Sequence, residues 1–155
     1  MRLSIGGGGA GAGRLPCASV RRTPGRKAPV SPEAPPEGER LPRSARIRRT
    51  RELRGVLKRG TRRRTRALDL YVLDSTGRRP RVGWIVPKLG QGIVARNRLK
   101  RRLREIARRR VLGDLWRAGR ECDVVVRVRR KAYRSAYGSL ETEWTEGLEA
   151  LWSQG

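Results

Sequence analysis

The stretch from Ile93 to Val111 constrains the fold more than any other, because it combines helical apolar spacing with dense positive charge. At 100° per residue, Ala95, Leu99, Leu103, Ile106 and Ala107 gather on one side, where they need an apolar surface to dock on. Asn97, Lys100, Arg101, Arg104 and Arg108 occupy the opposite face, flanked by Arg98 and Arg109. Arg96 lies beside the apolar stripe near the helix start and points either to the docking surface or to the preceding loop. Nine Lys or Arg residues between 96 and 110 face a single acid, Glu105. Like charges four apart destabilise a helix by a few tenths of a kcal/mol per pair, so solvated helices interleave both signs. A helix that keeps so much repulsion is expected to meet phosphate. The rest of the chain must supply the surface on which its apolar stripe sits.

The remaining segments read as a small α+β domain. Thr50 can cap a short helix over residues 51 to 59, with Glu52 in the first turn and Gly60 as its stop. Leu53, Val56 and Leu57 form its apolar stripe. Residues 61 to 65 are a basic run able to open a strand. Residues 67 to 74 alternate as a strand, and residues 81 to 86 return as a second, a hairpin by position. Gly113 is expected to close the basic helix, with a loop from Asp114 to Glu121. Cys122 to Arg129 carries the best strand signal, with Cys122, Val124, Val126 and Val128 on one face. Ser139 can cap a last helix with Leu140, Trp144, Leu148, Leu151 and Trp152 as its stripe. The predicted order is α-β-β-β-α-β-α, a small mixed sheet packed by helices.

Seven of the nine prolines and a Gly run lie in the first 42 residues. A segment of that composition cannot bury enough apolar surface to offset its ordering entropy. Residues 1–45 are therefore expected to be a disordered extension, and residues 46–155 an RNA-binding domain. The whole chain carries 39 Lys plus Arg against 14 Asp plus Glu, a net charge of +25. That imbalance favours a polyanionic partner through counterion release. Only five of the 39 are Lys, and Arg grips phosphate in bidentate fashion. Genomic base composition is an equal alternative source of the Arg excess. Two cysteines in unlike regions, Cys17 and Cys122, suit neither a zinc site nor a disulfide framework. A reducing, cytoplasmic setting fits them. No apolar run reaches the roughly 18 residues of a membrane span, and Met1 to Gly13 lacks the apolar core of a secretion signal.

Catalytic side chains are not expected. The chain has no His, the commonest general base. Asp69, Asp74, Glu121 and Asp123 are scattered over strands and strand ends, whereas a two-metal nuclease needs carboxylates that converge. Cys122 reads as a small core residue.

Two segments, Gly83-Trp84-Ile85-Val86-Pro87-Lys88 and Val94-Ala95-Arg96-Asn97-Arg98-Leu99-Lys100-Arg101-Arg102-Leu103-Arg104-Glu105, resemble the protein subunit of bacterial ribonuclease P. The likeness runs from about Arg46 to Trp152 and rests on an Arg-Asn-Arg helix that follows a strand. It implies the fold of the second domain of a small-subunit ribosomal protein. It also implies an endonucleolytic role in removing the 5′ leader of precursor tRNA, within a ribonucleoprotein whose RNA performs the hydrolysis. The expected partners are one catalytic RNA subunit per chain and precursor tRNA. Divalent metal, Mg²⁺, is expected at the RNA active site and none on the protein. By the same resemblance Arg96, Asn97, Arg98, Lys100, Arg101, Arg102 and Arg104 contact the catalytic RNA. Arg54, Lys58, Tyr71, Trp84, Val86 and Lys88 would line a cleft for the single-stranded leader, between the first helix and a sheet face. The chain departs from the family in having no Phe, with Leu53 and Leu57 in the first helix. Base stacking, at roughly 1–3 kcal/mol per base, then falls to Arg and to Trp84 or Tyr71. Composition alone also suits a ribosomal or assembly protein without a part in cleavage. A self-sufficient protein nuclease is the third class, and the absent His argues against it.

Overall fold

A computed structural model describes residues 40–75 and 78–154. Along the chain run α1 (Thr50–Arg59), β1 (Thr61–Arg64), β2 (Leu68–Asp74), β3 (Arg81–Ile85) and α2 (Ile93–Ile106). A π-helical turn (Ala107–Val111) joins α2 to α3 (Leu112–Arg117), followed by β4 (Cys122–Val128) and α4 (Tyr137–Ser153). Short 3-10 turns occupy Arg43–Ala45 and Arg130–Arg134. The expected α-β-β-β-α-β-α order and mixed sheet are both present.

The sheet order is β1-β2-β4-β3, which corrects one expectation. β2 and β3 do not form a hairpin: β4 lies between them, antiparallel to β2 and parallel to β3. The hairpin is instead β1–β2, with Arg64 opposite Asp69. The physical reason lies in composition. Every residue of β4 except Arg127 is buried, so both its faces need cover and both its edges need partners. The Arg-rich β1 takes an edge, where water can solvate its side chains.

Strand alternation then builds two cores. Leu68, Leu70, Val72, Val82, Val124, Val126 and Val128 pack on one face against Leu99, Leu103 and Ile106 of α2 and Leu140, Trp144 and Leu148 of α4. On the other face Tyr71 and Val125 pack with Val56 of α1 and with Ile47. The larger core also contains Leu41 and Ala45. Packed chain therefore begins about five residues before the expected boundary at Arg46, and Ile47 N donates to Val82 O at 3.0 Å. The expected disorder of the extension concerns residues that lie, up to position 39, outside the described ones.

Three local expectations change as well. Thr50 is the first helical residue rather than a cap; Arg49 precedes it without a side-chain capping bond. Gly60 does end α1, but its φ of −74° is ordinary. It is needed for space, since a Cβ there would lie 2.6 Å from Val56 O and 2.8 Å from Val72 O. Ser139 likewise falls inside α4, whose cap position is Ala136.

The basic helix does not stop at Gly113. The π turn inserts one extra residue per hydrogen-bonded ring and swings Val111, Leu112 and Leu115 into the larger core. Continued burial outweighs the helix penalty of one Gly, about 1 kcal/mol. The helix ends at Gly119, in the left-handed region at φ +60°. Arg120 N donates to Leu115 O at 2.9 Å and Gly119 N to Trp116 O at 3.0 Å, the paired bonds of a Schellman cap.

Candidate nucleic-acid interface

The apolar stripe of α2 docks as expected, with Leu99, Leu103, Ile106 and Ala107 buried. The seven expected RNA-contacting residues divide into two groups. Asn97, Arg98, Arg101 and Arg104 are exposed and Lys100 is half-buried; their side chains have no hydrogen-bond or ion-pair partner among the described residues. Arg96 and Arg102 are half-buried and hold backbone. Arg96 Nη2 donates to Val86 O at 3.2 Å, so this side chain turns to the end of the β3 segment. Its Nε is buried without a partner among the described residues. Arg102 Nη1 donates to Ser135 O at 3.2 Å. Both can still present a second guanidinium edge, but each also anchors α2 to a neighbouring segment.

Further along, the charge is compensated. Glu105 accepts from Arg108 at 2.7 Å and from Arg109 Nε, and Arg110 meets Glu141 at 3.0 Å. Those hydrogen bonds from Arg108 and Arg109 hold the Glu105 carboxyl below its usual range. The uncompensated face is therefore concentrated between residues 97 and 104. Val94, Asn97, Arg98, Arg101 and Arg102 border a shallow hollow there. Ile93 and Val94 beside it are 73% and 74% exposed. Arg46 extends the positive field: burial, then the charges of Arg104, Arg48 and Arg43, pull its guanidinium pKa down. Its guanidinium lies 5.2 Å from the Trp84 ring centre.

The expected leader cleft is only partly assembled. Tyr71 lies on the α1 face, together with Val125 and Ile85. Trp84 and Val86 pack on the opposite face, against the larger core with α2, and do not join a cleft beside α1. The register gives the reason: Trp84 pairs with Val126 and Gly83 with Val125. Only the Gly83 and Ile85 parity points toward α1, and Leu53 occupies the space over Gly83. Tyr71 itself is 7% exposed, with the Arg62 guanidinium 5.7 Å from its ring centre. Neither ring is thus open for stacking in that cleft. Arg54 and Lys58 are exposed on α1, and Lys88 is exposed after β3.

Residues that sequence reasoning did not place in the leader cleft complete the α1 face. Arg64, Asp69, Arg127 and Ile85 stand in register across all four strands. Arg64 and Arg127 are exposed, and the buried Asp69 carboxylate lies 3.4 Å from Arg62 Nη2. Their signal is cross-strand pairing, which no local pattern carries.

Among the described residues the acids do not converge on one centre. Asp123 forms a bidentate pair with Arg81, at 2.9 and 2.7 Å. Among the described residues no three His, Cys, Asp or Glu side chains come together as a metal set. Cys122 is 1% exposed, and burial pushes its thiol up to about 12. Among the described residues, no helix is long and apolar enough to cross a membrane.

A family profile described as ribonuclease P matches residues 41–152. The ribonuclease P protein component of Acidothermus cellulolyticus is 38% identical over 113 residues, covering 72% of this chain and 91% of that one. The corresponding protein of Mycolicibacterium gilvum is 36% identical over 114 residues, covering 72% and 89%. That of Beutenbergia cavernae is 46% identical over 72 residues, a match covering 46% of this chain and 60% of that relative. Among solved structures, the RNase P protein of Staphylococcus aureus superposes with a TM-score of 0.58 at 20% identity, covering 69% of this chain and 94% of that one. The Thermotoga maritima RNase P protein gives 0.53 at 25% identity, covering 68% and 93%.

Proposed function

The chain belongs to the ribonuclease P protein family, and on that premise we propose how its residues divide the work. Its role is in tRNA 5′ processing, as part of an endoribonuclease complex that works with the ribonuclease P RNA. In our reading the RNA subunit, one per chain, performs the hydrolysis with its own Mg²⁺. The protein contributes grip. Asn97, Arg98, Lys100, Arg101 and Arg104 contact that RNA directly, while Arg96 and Arg102 chiefly hold α2 in place and offer it a second contact. The single observation that carries this reading is the uncompensated face at residues 97 to 104, beside a neighbouring turn whose charges are paired.

The 5′ leader of precursor tRNA is assigned to the α1 face. There Arg54, Lys58, Arg64 and Arg127 follow the backbone phosphates, and Ile85 and Leu57 offer apolar contact to bases. Aromatic stacking has little part in this version of the cleft, so leader affinity should depend steeply on salt. Lys88 sits at the exposed turn between β3 and α2, where it can serve either RNA. The setting is expected to be cytoplasmic, where precursor tRNA is made in bacteria.

Reconstitution tests the reading. Purified protein added to the ribonuclease P RNA at low Mg²⁺ should accelerate leader release from precursor tRNA. Absence of any stimulation, with the RNA itself active at high Mg²⁺, would sink it.

A further inference from the structure

A second basic hollow, of about 360 Å³, lies beside the first turn of α4. Arg66 from the β1–β2 turn and Lys131 and Arg134 from the 3-10 turn line it, with Ser135, Ser139 and Glu143. The three cations are exposed and have no carboxylate partner among the described residues. Glu143 is turned to the strand connection, where its Oε2 accepts from Thr65 Oγ1 at 2.9 Å and Ala67 N at 2.7 Å. Three cations therefore face one carboxylate that already has donors.

The backbone adds to the same field. Helix α4 is 17 residues long, has no side-chain cap, and carries no acid in its first turn. Its ladder starts with Leu140 N donating to Ala136 O, which leaves the preceding N–H groups for an outside acceptor. A helix start of this kind favours an anion. The hollow also adjoins the α2 surface, since Arg102 touches Ser135 O at 3.2 Å and borders the hollow beside Asn97 and Arg98.

We propose that this hollow seats a backbone phosphate of the RNA subunit, extending the α2 footprint across Arg102 to the start of α4. The inference rests on the reading of α2 given above. The RNA subunit is favoured over precursor tRNA because α4 and α2 cover the same sheet face, whereas α1 covers the other.

Affinity of the full-length protein for the ribonuclease P RNA, measured across a salt series, tests the assignment. The variant Lys131→Ala with Arg134→Ala should bind roughly tenfold or more weakly. Its log–log salt slope should fall by about 1 for each residue removed. Ser139→Glu places an acid in the helix first turn, which suits the fold but repels phosphate. It should weaken RNA binding with no loss of Tm. Unchanged affinity and slope in both variants would overturn the assignment. A defect confined to precursor tRNA binding by the assembled holoenzyme would overturn the choice of RNA subunit. Failure of the wild-type protein to bind the ribonuclease P RNA would instead overturn the underlying reading of α2.

Discussion

Replacing Arg81 by Ala should destabilise the whole domain, and its cost follows from the geometry. Arg81 bridges three elements: Nε and Nη2 reach Asp123 on β4 at 2.9 and 2.7 Å, and Nη1 reaches Glu52 on α1 at 3.2 Å. Hydrogen bonding to Asp123, with Glu52 adding to it, raises the guanidinium pKa further above its ordinary value. The side chains of Asp123 and Arg81 are 8% and 17% exposed, while that of Glu52 is 34% exposed. The Glu52 arm is therefore screened and contributes at most about 1 kcal/mol. The Asp123 arm dominates, because removing Arg81 strands a carboxylate that water barely reaches. Breaking a buried pair in this way costs about 3–5 kcal/mol, a large share of the roughly 5–15 kcal/mol that holds such a domain together. Urea unfolding at pH 7 should show the midpoint falling at constant m. Glu52→Ala should lose about 1 kcal/mol or less. Arg81→Met with Asp123→Leu should recover most of the loss, since an apolar pair leaves no stranded charge. A loss below about 1 kcal/mol for Arg81→Ala would refute the reasoning, because Asp123 would then be finding water or another donor.

Other outcomes are equally specific. Arg98→Ala with Arg101→Ala should weaken binding to the ribonuclease P RNA and lower the salt slope by about 2 in total, while the Tm stays put. An unchanged slope would remove those residues from the interface. Arg96→Ala should differ by lowering thermal stability as well as affinity, because its Nη2 bond to Val86 O is lost; intact stability in a melting curve would contradict the anchoring role. Gly60→Ala should destabilise by about 1–3 kcal/mol in urea, as a methyl there meets two backbone oxygens, and a neutral result would mean the turn can relax. For Cys122, the folded thiol is pushed up to about 12, whereas an unfolded one titrates near pH ~8.5. A raised acid pKa gives stability that is present below the unfolded value and is lost as pH rises. The advantage of wild type over Cys122→Ala should therefore shrink by roughly 2 kcal/mol between pH 8 and 10. A constant difference across that range would show the thiol to be accessible.

Much of the fold was legible because its signals are local. The α2 stripe at Leu99, Leu103 and Ile106 and the Val124–Val126–Val128 face of β4 are periodic, and both are buried as the periodicity requires. The end of the basic helix was not legible, since Gly113 carries the local stop signal. The cost of that Gly is overridden by burial of Leu112 and Leu115 through a π turn. Nor was the strand order, because a six-residue link between β2 and β3 suits a hairpin equally well as a step across β4.

The same division holds for the interface. By itself the sequence determined that a strongly basic, amphipathic helix must dock on a sheet and present cations to a polyanion, since charge and period are properties of neighbouring residues. Only the tertiary structure decided which cations remain available. Arg102 and Arg110 look like Arg98 and Arg101 along the chain, yet they meet Ser135 O and Glu141; Arg96, which the helical period already set beside the apolar stripe, meets Val86 O. It also decided that Trp84 faces α2 while Tyr71 faces α1. Alternation divides a strand between two faces, but long-range pairing chooses which helix covers each one.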